Sequence, residues 1–179
     1  MALPSLSWWE CSSPVGPLLL AAEGKVITGL HFCAGGAGRA QVRPEGANPP
    51  AGALKTRAPF ETLISQLEEF FAGERRAFKL ELAPRGTAFQ REVWNAISDI
   101  GYASTCSYAE LASRIGHGRA LRAVGQACGA NPLPIIVPCH RVLASHHALG
   151  GFTGGVAIKQ KLLALEALAQ PFTLTAAHG

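Results

Sequence analysis

The chain has no CxxC pair, and its five cysteines are odd in number and irregularly spaced. That pattern excludes a paired disulfide framework and a zinc finger, and it fits a reducing compartment. No apolar run is long enough to cross a bilayer. The opening MALPSLSWWE lacks both a basic segment and a continuous apolar core, so no signal peptide is expected. Charge is scarce as well. Only 16% of residues are charged against 48% hydrophobic, which argues for a globular chain of one full-sized domain, or two small ones sharing an interface.

The most informative absence is of acid. Between Glu110 and Glu166 there is no Asp or Glu, while Arg114, Arg119, Arg122, Arg141, Lys159 and Lys161 are all present. Residues 1–84 hold eight Lys or Arg against eight Asp or Glu, and residues 85–179 hold eight against four, so the whole excess of +4 belongs to the second half. A solvated basic face would satisfy the composition. The length of the acid-free window points instead to an anionic partner such as a phosphate backbone.

What is present divides the same way. SSPVGPLLLAAEGKVITGLHF reads as a hairpin, with strands from Leu18 to Ala22 and from Val26 to Phe32 around a turn at Glu23, Gly24 and Lys25. Residues 34–58 are poor in large apolar side chains and rich in Gly, Pro and Ala, so they read as a surface loop. A helix opens at Pro59 and stops at Gly73, with Phe60, Leu63, Ile64, Leu67, Phe70 and Phe71 on one face. AFKLELAP reads as a further short strand. His31, Cys33 and Cys11 fit no closed four-ligand spacing.

From residue 86 the punctuation becomes regular. Thr87 with Gln90, and Ser107 with Glu110, are capping boxes that open the helices FQREVWNAISDI and YAELASRI. After the turn GHG comes RALRAVGQAC, so two short helices around a glycine turn make a helix-turn-helix candidate. Such pairs also occur as plain packing units. On the second helix Arg119, Arg122 and Gln126 fall at i, i+3 and i+7 and should share a face. A strand IIV then leads to Cys139, a glycine-rich turn ASHHALGGFTGG suggests a wing, and a last helix VAIKQKLLALEALAQ meets Pro171.

Cys139 is followed directly by His140 and Arg141. A thiol of ordinary pKa needs help to attack, yet neighbours in an extended strand point to opposite faces. Either the chain turns sharply after Pro138 or a water bridges thiol and imidazole. A base of this kind also needs an orienting acid. Glu166 is the only acid beyond residue 110.

At this point the residues resemble a family. VPCHRV is similar to the active-site motif of the O6-alkylguanine-DNA alkyltransferases, also called methylated-DNA–protein-cysteine methyltransferases. GTAFQREVW, SYAELA, ALRAVGQACGANPLP and LGGFTGG match in order, and SSPVGPLLLAA resembles the family's N-terminal hairpin. The resemblance implies an α+β fold: a small ribonuclease-H-like α/β domain over residues 1–84, then a winged helix-turn-helix domain over residues 85–179.

It also implies roles. Cys139 would accept the alkyl group, His140 would act as its base through a bound water, and Glu166 would hold His140. Asn131 would stabilise the turn beside the thiol, and Tyr108 would polarise or protonate the departing guanine. Arg122 would fill the space of the extruded nucleotide. Gln90, His117, Arg119 and Ser145 would contact DNA, and Pro134, Val142, Phe152 and Thr153 would line the pocket. The implied reaction is single-turnover repair of O6-alkylguanine in double-stranded DNA, with O4-methylthymine as a second expected lesion. No cofactor, metal or membrane is expected. The implied protein is a monomer, with cooperative binding along DNA left open, placed in the cytoplasm (with the nucleoid in a prokaryote, in the nucleus of a eukaryote).

Departures from the pattern matter. Phe152 stands where many relatives have tyrosine, and Ala109 and His117 replace polar side chains of some relatives. The zinc ligands of certain vertebrate members are not matched in register. Three other readings compete: a Cys-His hydrolase, a non-catalytic binder that flips alkylated bases, and an ordinary DNA-binding domain with a buried cysteine.

Overall fold

A computed structural model describes residues 5–33, 49 and 51–169. Three strands, β1 (Leu6–Cys11), β2 (Leu18–Glu23) and β3 (Val26–Phe32), form an antiparallel meander. β4 (Leu54–Lys55) joins it parallel to β1, giving the order β3-β2-β1-β4. The expected hairpin is therefore present, closed by Gly24 at φ 61°. β1 and β4 are additions to the sequence reading. β4 also removes residues 54 and 55 from the expected loop, whose residues 34–48 and 50 lie outside those described.

Helix α1 (Glu61–Phe71) follows a 3-10 turn at Ala58–Phe60 and buries Leu63, Ile64, Leu67 and Phe70. Its apolar face is the one expected from the periodicity. Gly73, at φ 78°, takes the left-handed position that ends the helix. AFKLELAP is not a strand. It runs extended and makes a single parallel bridge, in which Ile27 N–H donates to Glu81 O (2.9 Å) and Ala83 N–H donates to Ile27 O (3.0 Å).

The second half is helical. α2 (Ala88–Ser98) and α3 (Tyr108–Arg114) both carry the expected capping boxes, each with two reciprocal bonds. α4 (Leu121–Gly129) packs on both through Val124 and Ala127, and Trp94 Nε1–H donates to Ala127 O (2.9 Å) across the α2–α4 contact. Arg119 is a correction: it precedes the N-cap Ala120, so it does not share the helix face that carries Arg122. α5 (Val156–Leu168) closes the unit, and Pro171 lies outside the described residues.

IIV is the larger correction. Ile135 has φ 75°, and Pro134 bridges Val137 within a tight reversal. Asn131 explains it: its Oδ1 accepts from Leu133 N–H (3.0 Å) and its Nδ2 donates to Val137 O (2.8 Å). Side-chain hydrogen bonds replace the ladder that a strand would need. The apolar residues read as strand because the turn is buried.

The wing segment follows β6 (Val142–Leu143), which pairs parallel with β5 (Cys106–Ser107). It reverses at His146 and His147, both with positive φ (57° and 59°), and Ala144 N–H donates to Ala148 O (2.8 Å). Histidine tolerates that region at a cost that glycine does not meet. His147→Gly is expected to raise stability by about 1 kcal/mol in urea denaturation. An unchanged midpoint would mean that this turn stores no strain.

The two halves share one continuous core. Leu30 N–H donates to Pro132 O (2.8 Å), and the rings of Phe32 and Phe152 lie 5.6 Å apart. A Cβ on Gly154 would come within 2.6 Å of the Phe32 ring, so only glycine lets the two layers close there. The sheet layer is thereby fixed to the loop that carries Phe152.

Candidate active site

Pro138 is followed by a 3-10 turn, Cys139–Arg141, so the chain does turn sharply where the thiol and imidazole meet. Cys139 is 5% exposed. Asn131 Nδ2, besides holding Val137 O, donates to Cys139 Sγ (3.2 Å). Burial pushes the thiol pKa up to about 11, against the Asn131 hydrogen bond and the nearby Lys159 ammonium, which pull it down. In the resting protein the sulfur is a thiol. Attack requires a base.

His140 is fully buried, and Glu166 Oε1 lies 2.7 Å from its Nε2. Burial lowers the imidazole pKa, outweighing the Glu166 hydrogen bond that raises it, so the ring is neutral. The carboxylate can only accept, which assigns the proton to Nε2 and leaves a lone pair on Nδ1. Nδ1 is buried and has no hydrogen-bond partner within the protein. The sulfur accepts from Asn131 Nδ2 and the imidazole Nε2–H donates to Glu166; no direct bond joins sulfur and ring.

Glu166 is also fully buried. It accepts from His140, from Arg141 Nε (3.0 and 3.2 Å) and Nη2 (3.0 Å), and from Ala103 N–H (2.9 Å). Burial alone would raise the carboxyl pKa, but the His140 and Arg141 hydrogen bonds prevail and hold it at about 2. Arg141 Nη1 donates to Ile100 O (2.6 Å). This is a buried, paired and fully bonded carboxylate, the condition under which a charge is tolerated inside.

Two members of the network were not singled out in the sequence. One is Arg141. The other is Lys159, which has no exposed surface and donates to Val142 O (2.6 Å) and Leu149 O. Lys159, Leu162 and Glu166 fall at i, i+3 and i+7 and form the buried stripe of α5. Two charged residues on an otherwise apolar stripe were the available signal.

A pocket of about 420 Å3 opens over the thiol, lined by Tyr108, Gly125, Cys128, Gly129, Cys139, Gly151, Phe152 and Thr153. Burial raises the Tyr108 phenol to about 12, so it is a proton donor at neutral pH. Thr153 Oγ1 donates to Gly129 O (3.1 Å). A larger cavity of about 630 Å3 lies between β1 and α1; Cys11 and Glu68 line it, but no histidine and none of the expected site residues does.

The expected site residues are thus partly gathered. Cys139, His140, Glu166 and Asn131 meet, and Tyr108, Phe152 and Thr153 face the same pocket. Pro134 and Val142 do not line it: both are buried, and the Val142 carbonyl faces Lys159. Arg122 and Arg119 are exposed, and Ser145 sits at the exposed turn of the wing segment. Gln90 is engaged in its capping box, and His117 Nε2 lies 3.4 Å from Glu92 Oε2 with its ring edge-on to Phe89. Among the described residues no group of three or more His, Cys, Asp or Glu could hold a metal ion.

A protein built this way, with a helical unit presenting a buried cysteine beside a glycine-lined pocket, has the class of site that alkyl-transfer chemistry uses. Comparison places it more closely. The family model of the 6-O-methylguanine DNA methyltransferase ribonuclease-like domain matches residues 10–84, and that of the family's DNA-binding domain matches residues 88–168. The methylated-DNA–protein-cysteine methyltransferase of Methanosarcina acetivorans is 41% identical over 154 residues, 86% of this chain and 94% of that protein. The protein of the same name from Mycobacterium tuberculosis is 43% identical over 165 residues, 91% of this chain and 93% of that protein. The crystal structure of Mycobacterium tuberculosis OGT in complex with DNA superposes with a TM-score of 0.80 at 40% identity, covering 93% of this chain and 96% of that one. The chain belongs to the 6-O-methylguanine DNA methyltransferase family.

Proposed function

We propose that this protein repairs DNA by taking the alkyl group from O6-alkylguanine in a duplex onto its own Cys139, once per molecule. The observation that carries the reading is the chain of partners Cys139–Asn131 and His140–Glu166–Arg141 beneath a pocket open to solvent. An O6-alkyl group inside a stacked duplex is out of reach of a buried thiol, so the nucleotide must leave the stack and enter the pocket. Arg122, exposed on α4, fills the gap it leaves.

Chemistry then follows from the protonation states. His140 Nδ1 takes the Cys139 proton, through a bridging water, while Glu166 steadies the imidazolium that forms. The sulfur attacks the alkyl carbon in line, an S–C bond forms and the C–O6 bond breaks. Tyr108 O–H offers a proton to the guanine as it leaves. The product thioether has no carbonyl or phosphoryl for water to attack, so the protein is spent. A Cys-His hydrolase would instead need a direct sulfur–imidazole pair, which this turn does not make. The partner is double-stranded DNA, and a monomer in the compartment that holds the DNA suffices for the reaction.

Titrating the protein with methylated duplex tests this: methyl groups transferred should level off at one per protein, whereas continued release of product would contradict it. Arg122→Ala separates flipping from chemistry. It should slow transfer from duplex by about tenfold or more, because the extruded state loses its prop, yet leave attack on free O6-benzylguanine unchanged. Equal losses on both substrates would remove Arg122 from the flipping step.

A further inference from the structure

Alkyl transfer to Cys139 employs no side chain from residues 1–84. The geometry points to a task for them: we propose that Arg76 and Tyr102 are positioning residues through which the N-terminal layer fixes the Arg141–Glu166–His140 relay. The inference rests on the alkyl-transfer reading of that relay.

Arg141 is the hinge of the relay. Three of its hydrogen bonds hold both oxygens of Glu166, and the orientation of that carboxylate sets the His140 ring. A guanidinium binds this way only while its plane is held. Tyr102 supplies the support: the Arg141 Cζ lies 5.6 Å from the Tyr102 ring centroid. The same ring carries Arg76, whose Cζ lies 5.5 Å from the centroid, and it packs edge-on to Phe70 at 6.2 Å. Arg76 and Phe70 belong to the N-terminal part of the chain.

Arg76 reaches the relay by a second route. Its Nη2 donates to Ala169 O (3.3 Å) at the C-cap of α5, the helix that presents Glu166. One N-terminal arginine therefore touches both the ring that braces Arg141 and the end of the helix that carries its partner. Neither Arg76 nor Tyr102 lines the pocket, so neither is a catalytic residue. Their effect passes through the angle at which Glu166 meets Nε2.

His140 is faced by Glu166 and Lys159 from α5 and by Arg141 from its own turn. If Glu166 drifts, the imidazolium loses its stabilising anion, its pKa falls, and the ring becomes a weaker base.

The test compares Tyr102→Leu, Tyr102→Phe and Arg76→Ala with the unaltered protein. Tyr102→Leu removes the ring, Tyr102→Phe keeps it, and thermal melts confirm that each variant is folded. Imidazole NMR, with His140 assigned against a His140→Gln variant, reads the tautomer without any substrate. The unaltered protein and Tyr102→Phe should hold the proton on Nε2, and Tyr102→Leu should show a mixture. On methylated duplex, Tyr102→Leu should slow transfer by about tenfold, the acid limb of its pH–rate profile should move to lower pH, and DNA affinity should be unchanged. Arg76→Ala should move rate and profile in the same direction by a smaller factor. Tyr102→Leu with the original tautomer and pH profile would overturn the proposal, as would a Tyr102→Phe variant as impaired as Tyr102→Leu. Transfer absent from the unaltered protein would count against the function alone, since the NMR arm is independent of it.

Discussion

Cys139→Ser should lose alkyl transfer by on the order of a thousandfold or more while keeping its affinity for methylated duplex. The two properties separate because they live on different parts of the molecule. Cys139 is buried beneath the pocket, and the exposed cations of α4 and the turn before it are unaffected by its exchange. A hydroxyl in the same place accepts the Asn131 hydrogen bond but ionises far less readily than a thiol. Burial already pushes the thiol up to about 11, and a serine starts from a much less favourable point. Transfer that persists in the variant would move the acceptor to another sulfur, and Cys128 is the one that shares the pocket.

Glu166→Gln should show the second large effect, on both stability and rate. The substitution leaves Arg141 buried without its counter-charge, a change that costs about 3–5 kcal/mol in comparable pairs. The neutral amide also no longer dictates which imidazole nitrogen holds the proton, and loss of the correct tautomer lowers transfer by on the order of a hundredfold or more. The pH dependence of stability has a definite sign. With its folded pKa held at about 2, Glu166 contributes stability that is fully present above the unfolded carboxyl pKa of about 4.3 and is lost as the pH falls through the folded value. The contribution is about 3 kcal/mol. Urea denaturation between pH 6 and about 2 measures it: the unaltered protein should lose this increment in acid, and Glu166→Gln should lack it throughout. Equal slopes in the two proteins would make Glu166 a bystander to folding, and an unchanged transfer rate would make it a bystander to the relay.

Helix starts were legible because a cap needs particular side chains at two fixed positions, and Thr87 with Gln90 and Ser107 with Glu110 leave little else to read. The β2–β3 hairpin was legible for a similar reason, since its turn needs Gly24. IIV was misread because composition reports burial before it reports conformation. What bends it is Asn131, four residues upstream of Ile135, through bonds that only the folded chain brings together. β1 and β4 went unread for want of a clear alternating run, and β4 is two residues long.

The site divides along the same line. Cys139 and His140 stood out as adjacent residues and Glu166 by the scarcity of acid around it, while Asn131 and Tyr108 came only through the resemblance to the family. Arg141 and Lys159 read in the sequence as part of a basic window facing an anionic partner, because charged side chains are seldom interior. Their burial is visible only once α5 lies against the Cys139 turn, where Glu166 and the Val142 carbonyl receive them. Gln90 has two claims on it: the resemblance implies DNA, and in the fold its Oε1 accepts from Thr87 N–H in a helix cap.

The most direct test of the account is intact-protein mass spectrometry after mixing with a duplex that carries one O6-methylguanine. The protein should gain a single methyl mass, located on the peptide that contains Cys139, and a second aliquot of DNA should go unrepaired. An unmodified Cys139 in a sample whose DNA has been restored, or repair of many equivalents by one, would contradict the transfer of the alkyl group to that sulfur.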